Sequence, residues 1–62
     1  MYQTQFYEDQ PKHFTNAKKV LKYINETGYT INRYKLFKLD EISNDFKEIT
    51  TEEFIHLLGK EL

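Results

Sequence analysis

Polar and apolar residues alternate at the start of the chain, where Tyr2, Thr4 and Phe6 fall on one side of an extended backbone. A period of two is typical of a β-strand, and threonine and aromatic residues favour strands. We expect a short N-terminal strand at the edge of a sheet. It ends before Pro11, because proline donates no backbone hydrogen bond.

The spacing then changes to that of a helix. Apolar residues recur three or four positions apart, at Phe14, Ala17, Leu21 and Ile24. This period predicts an amphipathic helix over about residues 13–27. Pro11 suits the approach to its first turn, and Gly28 suits the left-handed conformation that ends many helices.

A strand-like segment follows from Tyr29 to Leu39, but its apolar residues fall on both sides of an extended chain. Two explanations remain open at this point. Either a bulge near Asn32 and Arg33 re-aims the chain, or the strand is covered on both faces near Leu36 and Phe37. Residues 40–45 supply turn chemistry, and residues 46–49 return as the second arm of a hairpin whose loop has about four to six residues.

The last helix has two start signals at one place. Thr50 with Glu53 matches a capping box, and Ile49 with Phe54 matches a hydrophobic staple. The apolar stripe then runs to about Leu58 or Leu62, and Gly59 is the expected point of fraying.

The element order is therefore strand, helix, strand, strand, helix. We predict one α+β domain over residues 1–62, with a small, mainly antiparallel sheet packed on two helices. A chain of 62 residues without cysteine has a marginal core and no disulfide to strengthen it. Association with another chain would add buried surface.

Charge is segregated although the net charge is only -1. Residues 12–38 carry seven basic residues against one acidic residue, whereas residues 39–62 carry seven acidic against two basic. No basic segment followed by an apolar one opens the chain, and no apolar run approaches the length of a membrane span. We expect a soluble, cytoplasmic protein that does not bind membranes.

Motifs for catalysis are missing from the sequence. It has no cysteine nucleophile, no glycine-rich phosphate loop and no Gly-x-Ser-x-Gly elbow. Glu52 and Glu53 precede His56 by about one helical turn, but a carboxylate-bridged metal site needs two such motifs and further carboxylates. We predict no enzymatic activity, no cofactor and no metal.

Basic residues make a nucleic-acid partner the second hypothesis. Arg33, Lys35 and Lys38 are interleaved with aromatic residues on the predicted hairpin, and Lys18, Lys19 and Lys22 could extend a basic patch. The acidic C-terminal third opposes this hypothesis, because phosphate contacts dominate affinity for DNA. A small DNA-binding regulator is therefore the alternative.

Aromatic residues favour a protein partner. Five tyrosines and five phenylalanines exceed what a small core can cover, and such side chains supply large contact areas at interfaces. Four of them are the least explained by the inner stripes of the two helices: Tyr2, Phe6, Tyr34 and Phe37. We predict that these four form the seam of a homodimer.

The segment YKLFKLDEISNDFKEITTEEFIHLL, from Tyr34 to Leu58, resembles the hairpin and capped helix of many small accessory proteins of phages and mobile elements in Gram-positive, AT-rich bacteria. Their usage of Lys, Ile, Asn, Tyr and Glu is also similar. The resemblance implies a non-catalytic protein that binds and inhibits a host protein, for example in a defence system or in host metabolism. It is also compatible with a small regulator of phage genes.

Overall fold

Four antiparallel strands form one sheet, and two helices pack on one of its faces. The computed structural model describes residues 1–62. The elements are β1 (Tyr2–Phe6), β2 (Lys12–Phe14), α1 (Ala17–Thr27), a 3₁₀ turn (Ile31–Arg33), β3 (Tyr34–Asp40), β4 (Asp45–Ile49) and α2 (Thr51–Glu61). The predicted α+β class and its order of strands and helices are confirmed, with β2 as an additional short strand.

The strand order across the sheet is β2-β1-β3-β4, and every neighbouring pair is antiparallel. Strand β1 therefore lies inside the sheet, between β2 and β3. The prediction of an N-terminal edge strand was wrong, because β2 occupies the outer side of β1. The two edges of the sheet are β2 and β4.

Strand β2 replaces the predicted first turn of α1. Phe14 pairs with Tyr2 in the sheet, and the helix begins only at Ala17. Asn16 is the N-cap, since its side-chain oxygen accepts a hydrogen bond from the Lys19 N–H at 2.9 Å. Phe14 has helical spacing from Ala17 but belongs to the strand. For this reason the predicted start of the helix, at residue 13, is about four residues too early. Gly28 ends the helix with φ 82°, as predicted.

The core lies between the helices and one face of β1 and β3. Its strand residues are Tyr2, Thr4, Tyr34 and Leu36, and its helix residues are Ala17, Val20, Ile24 and Phe54. The ring of Phe54 is only 1% exposed and meets the ring of Tyr2 edge-on, with centroids 5.9 Å apart. Such contacts add to the stabilisation from buried area.

The 3₁₀ turn at Ile31–Arg33 sets the orientation of β3. It occupies the place where a bulge was considered, and after it Tyr34 and Leu36 face the helices. Phe37 and Leu39 consequently face the opposite side of the sheet. The hairpin loop that follows has four residues, 41–44, within the predicted range.

Helix α2 begins as the sequence predicts. The Thr50 hydroxyl accepts a hydrogen bond from the Glu53 N–H at 3.0 Å, and the Glu53 carboxylate accepts one from the Thr50 N–H at 3.2 Å. The helix continues through Gly59 to Glu61, so Gly59 is not its end.

Candidate interaction surfaces

Tyr2 and Tyr34 are core residues, with 7% and 8% of their surface exposed. The hydroxyl of Thr27 donates to the Ile24 carbonyl at 2.7 Å, which leaves its oxygen to accept from the Tyr34 hydroxyl at 2.8 Å. The Tyr34 hydroxyl is thus satisfied inside the fold. This corrects the assignment of both tyrosines to an exposed seam.

Phe6 and Phe37 lie on opposite faces of the sheet, because Phe6 pairs with Tyr34 whereas Phe37 pairs with Gln3. Phe6 packs on the exposed rings of Tyr7 and Tyr29, with centroid distances of 4.5 and 4.8 Å. The four predicted aromatic residues therefore do not share one surface. Of the four, only Phe37 lies on the face that has no helix.

That helix-free side of the sheet is called the open face here. The register of the strands places eight side chains on it: His13, Gln3, Gln5, Lys35, Phe37, Leu39, Phe46 and Glu48. Met1 continues β1 on the same side, and its carbonyl accepts a hydrogen bond from the Leu39 N–H at 2.9 Å.

The open face carries an apolar strip made of Phe37, Leu39 and Phe46, with Met1 beside it. The first three are half-buried although no helix covers them, and Met1 is 52% exposed. Leu39 and Phe46 were not predicted as surface residues of this kind. The sequence alone does not show which residues of β3 face which side of the sheet. The alternation of Phe37 and Leu39, paired with Phe46 across a hairpin, is the signal that could have identified the strip.

His13 and Phe46 meet across the open face. They belong to the two edge strands, yet their rings are 5.1 Å apart. His13 also shares a hydrogen bond of 2.9 Å with the side-chain oxygen of Gln3. The sheet is therefore curled enough for side chains of its two edges to touch, and this contact explains part of the burial of the strip.

A second surface, called the edge groove here, lies on the helix side next to β4. It has a volume of about 460 Å³ and is lined by Lys38, Ile49, Glu52, Glu53, His56 and Leu57. Lys38 and Ile49 come from β3 and β4 and form its floor. Residues of the first two turns of α2 form its wall.

The six predicted basic residues are distributed around the molecule. Lys18, Lys19 and Lys22 are exposed on α1, whereas Lys35 lies on the open face and Lys38 lines the edge groove. Arg33 donates a hydrogen bond to the Tyr7 hydroxyl at 3.0 Å. Since α1 and Lys35 are on opposite sides of the sheet, the six side chains do not form one patch.

The Glu-x-x-His spacing places Glu52, Glu53 and His56 along the edge groove. No three His, Asp or Glu side chains come together in an arrangement that could hold a metal ion. One carboxylate oxygen of Glu53 is held by the Thr50 N–H. Glu52 and Glu53 supply negative charge to the groove.

Two ionisable groups have shifted pKa values. Burial raises the pKa of Tyr2 above its ordinary value of 10.0, and the nearby negative charge of Glu61 adds to the increase. The Ile42 N–H donates to the Asp40 carboxylate at 3.0 Å and lowers its pKa. Lys47, whose ammonium lies 3.3 Å from Asp40, lowers it further.

Comparison of the chain with protein families, curated proteins and solved structures gave no match. Neither of its two helices has the length and apolar character needed to cross a membrane. The open face and the edge groove are the two surfaces of the molecule that bear on its function.

Proposed function

We propose that this chain is a non-catalytic protein-protein interaction module that forms a homodimer through its open face and inhibits a bacterial host protein. The apolar strip on the open face is the observation that carries the proposal. Phe37, Leu39 and Phe46 lie on a sheet face that no helix covers. Antiparallel sheets can leave one face to solvent, but that face is then normally polar.

A second copy of the chain is the occupant that the charges of the open face favour. Lys35 precedes Phe37 on β3, and Glu48 lies beside Phe37 on β4. One face thus carries both signs of charge next to its apolar strip, so two copies related by a two-fold axis can complement each other. A domain of this size also benefits from additional burial.

Inhibition of a host protein follows from the resemblance of residues 34–58 to phage and mobile-element accessory proteins. A small binding module inhibits its target by covering a surface that the target needs. The alternative, a DNA-binding regulator, has weaker support because the six basic residues of this chain lie on different sides of the molecule.

Sedimentation equilibrium at micromolar concentration tests the dimer. We expect a mass near twice 7.6 kDa for the parent and a monomer for Phe46→Ser, which places a hydroxyl in the strip. Ile42→Ser is the matched control, because Ile42 is 97% exposed in the hairpin loop. A parent that stays monomeric to about millimolar concentration, or a Phe46→Ser protein that dimerises like the parent, would contradict the dimer.

Affinity capture from a bacterial lysate, with and without nuclease, tests the target class. The proposal expects a stoichiometric protein that resists nuclease and whose purified activity falls when the module is added. Loss of every captured partner after nuclease treatment would favour the DNA-binding alternative instead.

A further inference from the structure

The outer edge of β4 is free of strand partners. Strand β4 pairs with β3 on one side and ends the sheet on the other. An exposed edge presents unpaired backbone groups that an extended segment of another protein can bond as an added strand. The other edge, β2, has only three residues and offers a shorter template.

The edge groove lies beside this free edge, on the helix side. Ile49 pairs with the buried Leu36, so its side chain points to the same side as the helices. A residue added opposite Ile49 would place its own side chain about 5 Å away on that side. It would then lie next to Leu57, the apolar residue of the groove wall.

The size of the groove suits apolar side chains. Its volume of about 460 Å³ falls within the range of protein sites that bind small ligands. Ile49 and Leu57 supply its apolar lining, and the aliphatic part of Lys38 can extend that lining while its ammonium stays in water.

Charge around the groove is mainly acidic. Glu52 and Glu53 are exposed on the wall, against Lys38 on the floor. Lys47, the basic residue of β4, is paired with Asp40 at 3.3 Å. A ligand that carries Lys or Arg next to its apolar residue therefore complements this surface.

We infer that the edge groove and the outer edge of β4 together bind an extended peptide segment in which an apolar side chain is flanked by Lys or Arg. Backbone bonds to β4 supply part of the affinity, and the groove and Glu52 supply the selectivity. The inference rests on the proposed protein-binding function and gives the chemistry of the target segment. The site is on the opposite side of the sheet from the open face, so a dimer formed there leaves it accessible.

Selection from a displayed library of random 12-residue peptides, against the immobilised full chain, tests the inference. We expect enrichment of peptides with apolar residues at alternate positions and at least one adjacent Lys or Arg. In amide NMR spectra, an enriched peptide should shift signals of β4 and of the first two turns of α2. Signals of Gln3 and Gln5 on β1 should stay in place.

Three variants distinguish peptide binding at the edge groove from peptide binding at the open face. Glu52→Lys, an exposed change that leaves the core intact, should weaken an enriched peptide about two- to five-fold, the size expected for one exposed charge pair. Leu57→Lys should weaken it at least ten-fold, and a thermal melt checks that this variant folds. Phe37→Ser, on the open face, should leave the affinity unchanged, because Phe37 belongs to β3 and not to the strand that the peptide pairs with.

Four results would overturn the inference: no enrichment; enriched peptides without basic residues; affinity unaffected by Glu52→Lys; or affinity that Phe37→Ser abolishes. Concentration-dependent protection of β4 amides without peptide would also overturn it, by assigning the edge to a second copy. The proposed dimer is judged separately, by the mass of Phe46→Ser. A monomeric parent that still binds such peptides would contradict the dimer and support this inference.

Discussion

The carboxylate of Glu61, near the end of α2, accepts a hydrogen bond from the Ala17 N–H at the start of α1, at 2.8 Å. Its second oxygen accepts one from the Lys18 N–H at 3.1 Å. Helix N-termini carry unpaired N–H groups and a partial positive charge. Glu61 therefore caps a helix more than 40 residues earlier in the chain and fastens the two helices to each other.

Replacing Glu61 by Ala should lower the free energy of unfolding by about 1–2 kcal/mol, because two N–H groups and the helix dipole lose their carboxylate partner. Urea denaturation measures the change. Glu41→Ala is the control, since Glu41 is an exposed residue of the hairpin loop. Equal stability of the two variants would show that the Glu61 contact contributes nothing.

Phe54→Ala should leave little folded protein. Removal of a buried phenylalanine costs about 3–5 kcal/mol, and a small domain has little more than about 5 kcal/mol in total. Circular dichroism during heating gives the measurement, and Ile55→Ala, at a position 56% exposed on the same helix, is the control. A cooperative transition within a few degrees of the parent would contradict the role of Phe54 in the core.

The stability of the parent should fall at alkaline pH more steeply than that of Tyr2→Phe. The folded-state pKa of Tyr2 is raised above 10.0. Its protonated hydroxyl therefore makes its full contribution to the free energy of unfolding below that pH. That contribution is lost as pH rises through the raised value. Urea midpoints between about pH 8 and about pH 11.5 measure both proteins, and parallel curves would show that Tyr2 does not contribute.

Tyr34→Phe should lower the free energy of unfolding by about 0.5–1.5 kcal/mol, the net value of one intramolecular hydrogen bond. The bond that is lost joins its hydroxyl to Thr27 at 2.8 Å. A double-mutant cycle with Thr27→Val isolates this contact. Additive effects of the two changes would mean that the hydroxyls are not coupled.

Local signals in the sequence were sufficient for several elements. The capping box at Thr50 and the glycine after α1 each depend on neighbouring residues, and each is where it was predicted. Phe54 of the apolar stripe of α2 is buried as predicted, whereas Ile55 beside it is 56% exposed. The start of α1 was misplaced because Phe14 satisfies the helical period while it pairs with Tyr2 in the sheet.

Such local signals do not predict strand order or contacts between residues that are distant in the sequence. The spacing of Tyr2 and Tyr34 indicates strands but not which strand lies at an edge, so both were assigned to a surface although they are buried. The open face and the edge groove depend in the same way on strand order and on the packing of α2. The contact of Glu61 with Ala17 has no local pattern at all.

The interior position of β1 has a consequence for how the chain reaches its native state. Its pairs with β3 span from 28 residues, Phe6 to Tyr34, to 36 residues, Tyr2 to Lys38. Closing such loops costs entropy before any contact compensates for it, and folding rates decrease as the sequence separation of contacts increases. The β3-β4 hairpin and α2 can form early from adjacent residues. Docking of the N-terminal segment into the middle of the sheet is then the slow step, so destabilising changes in β1 should slow refolding.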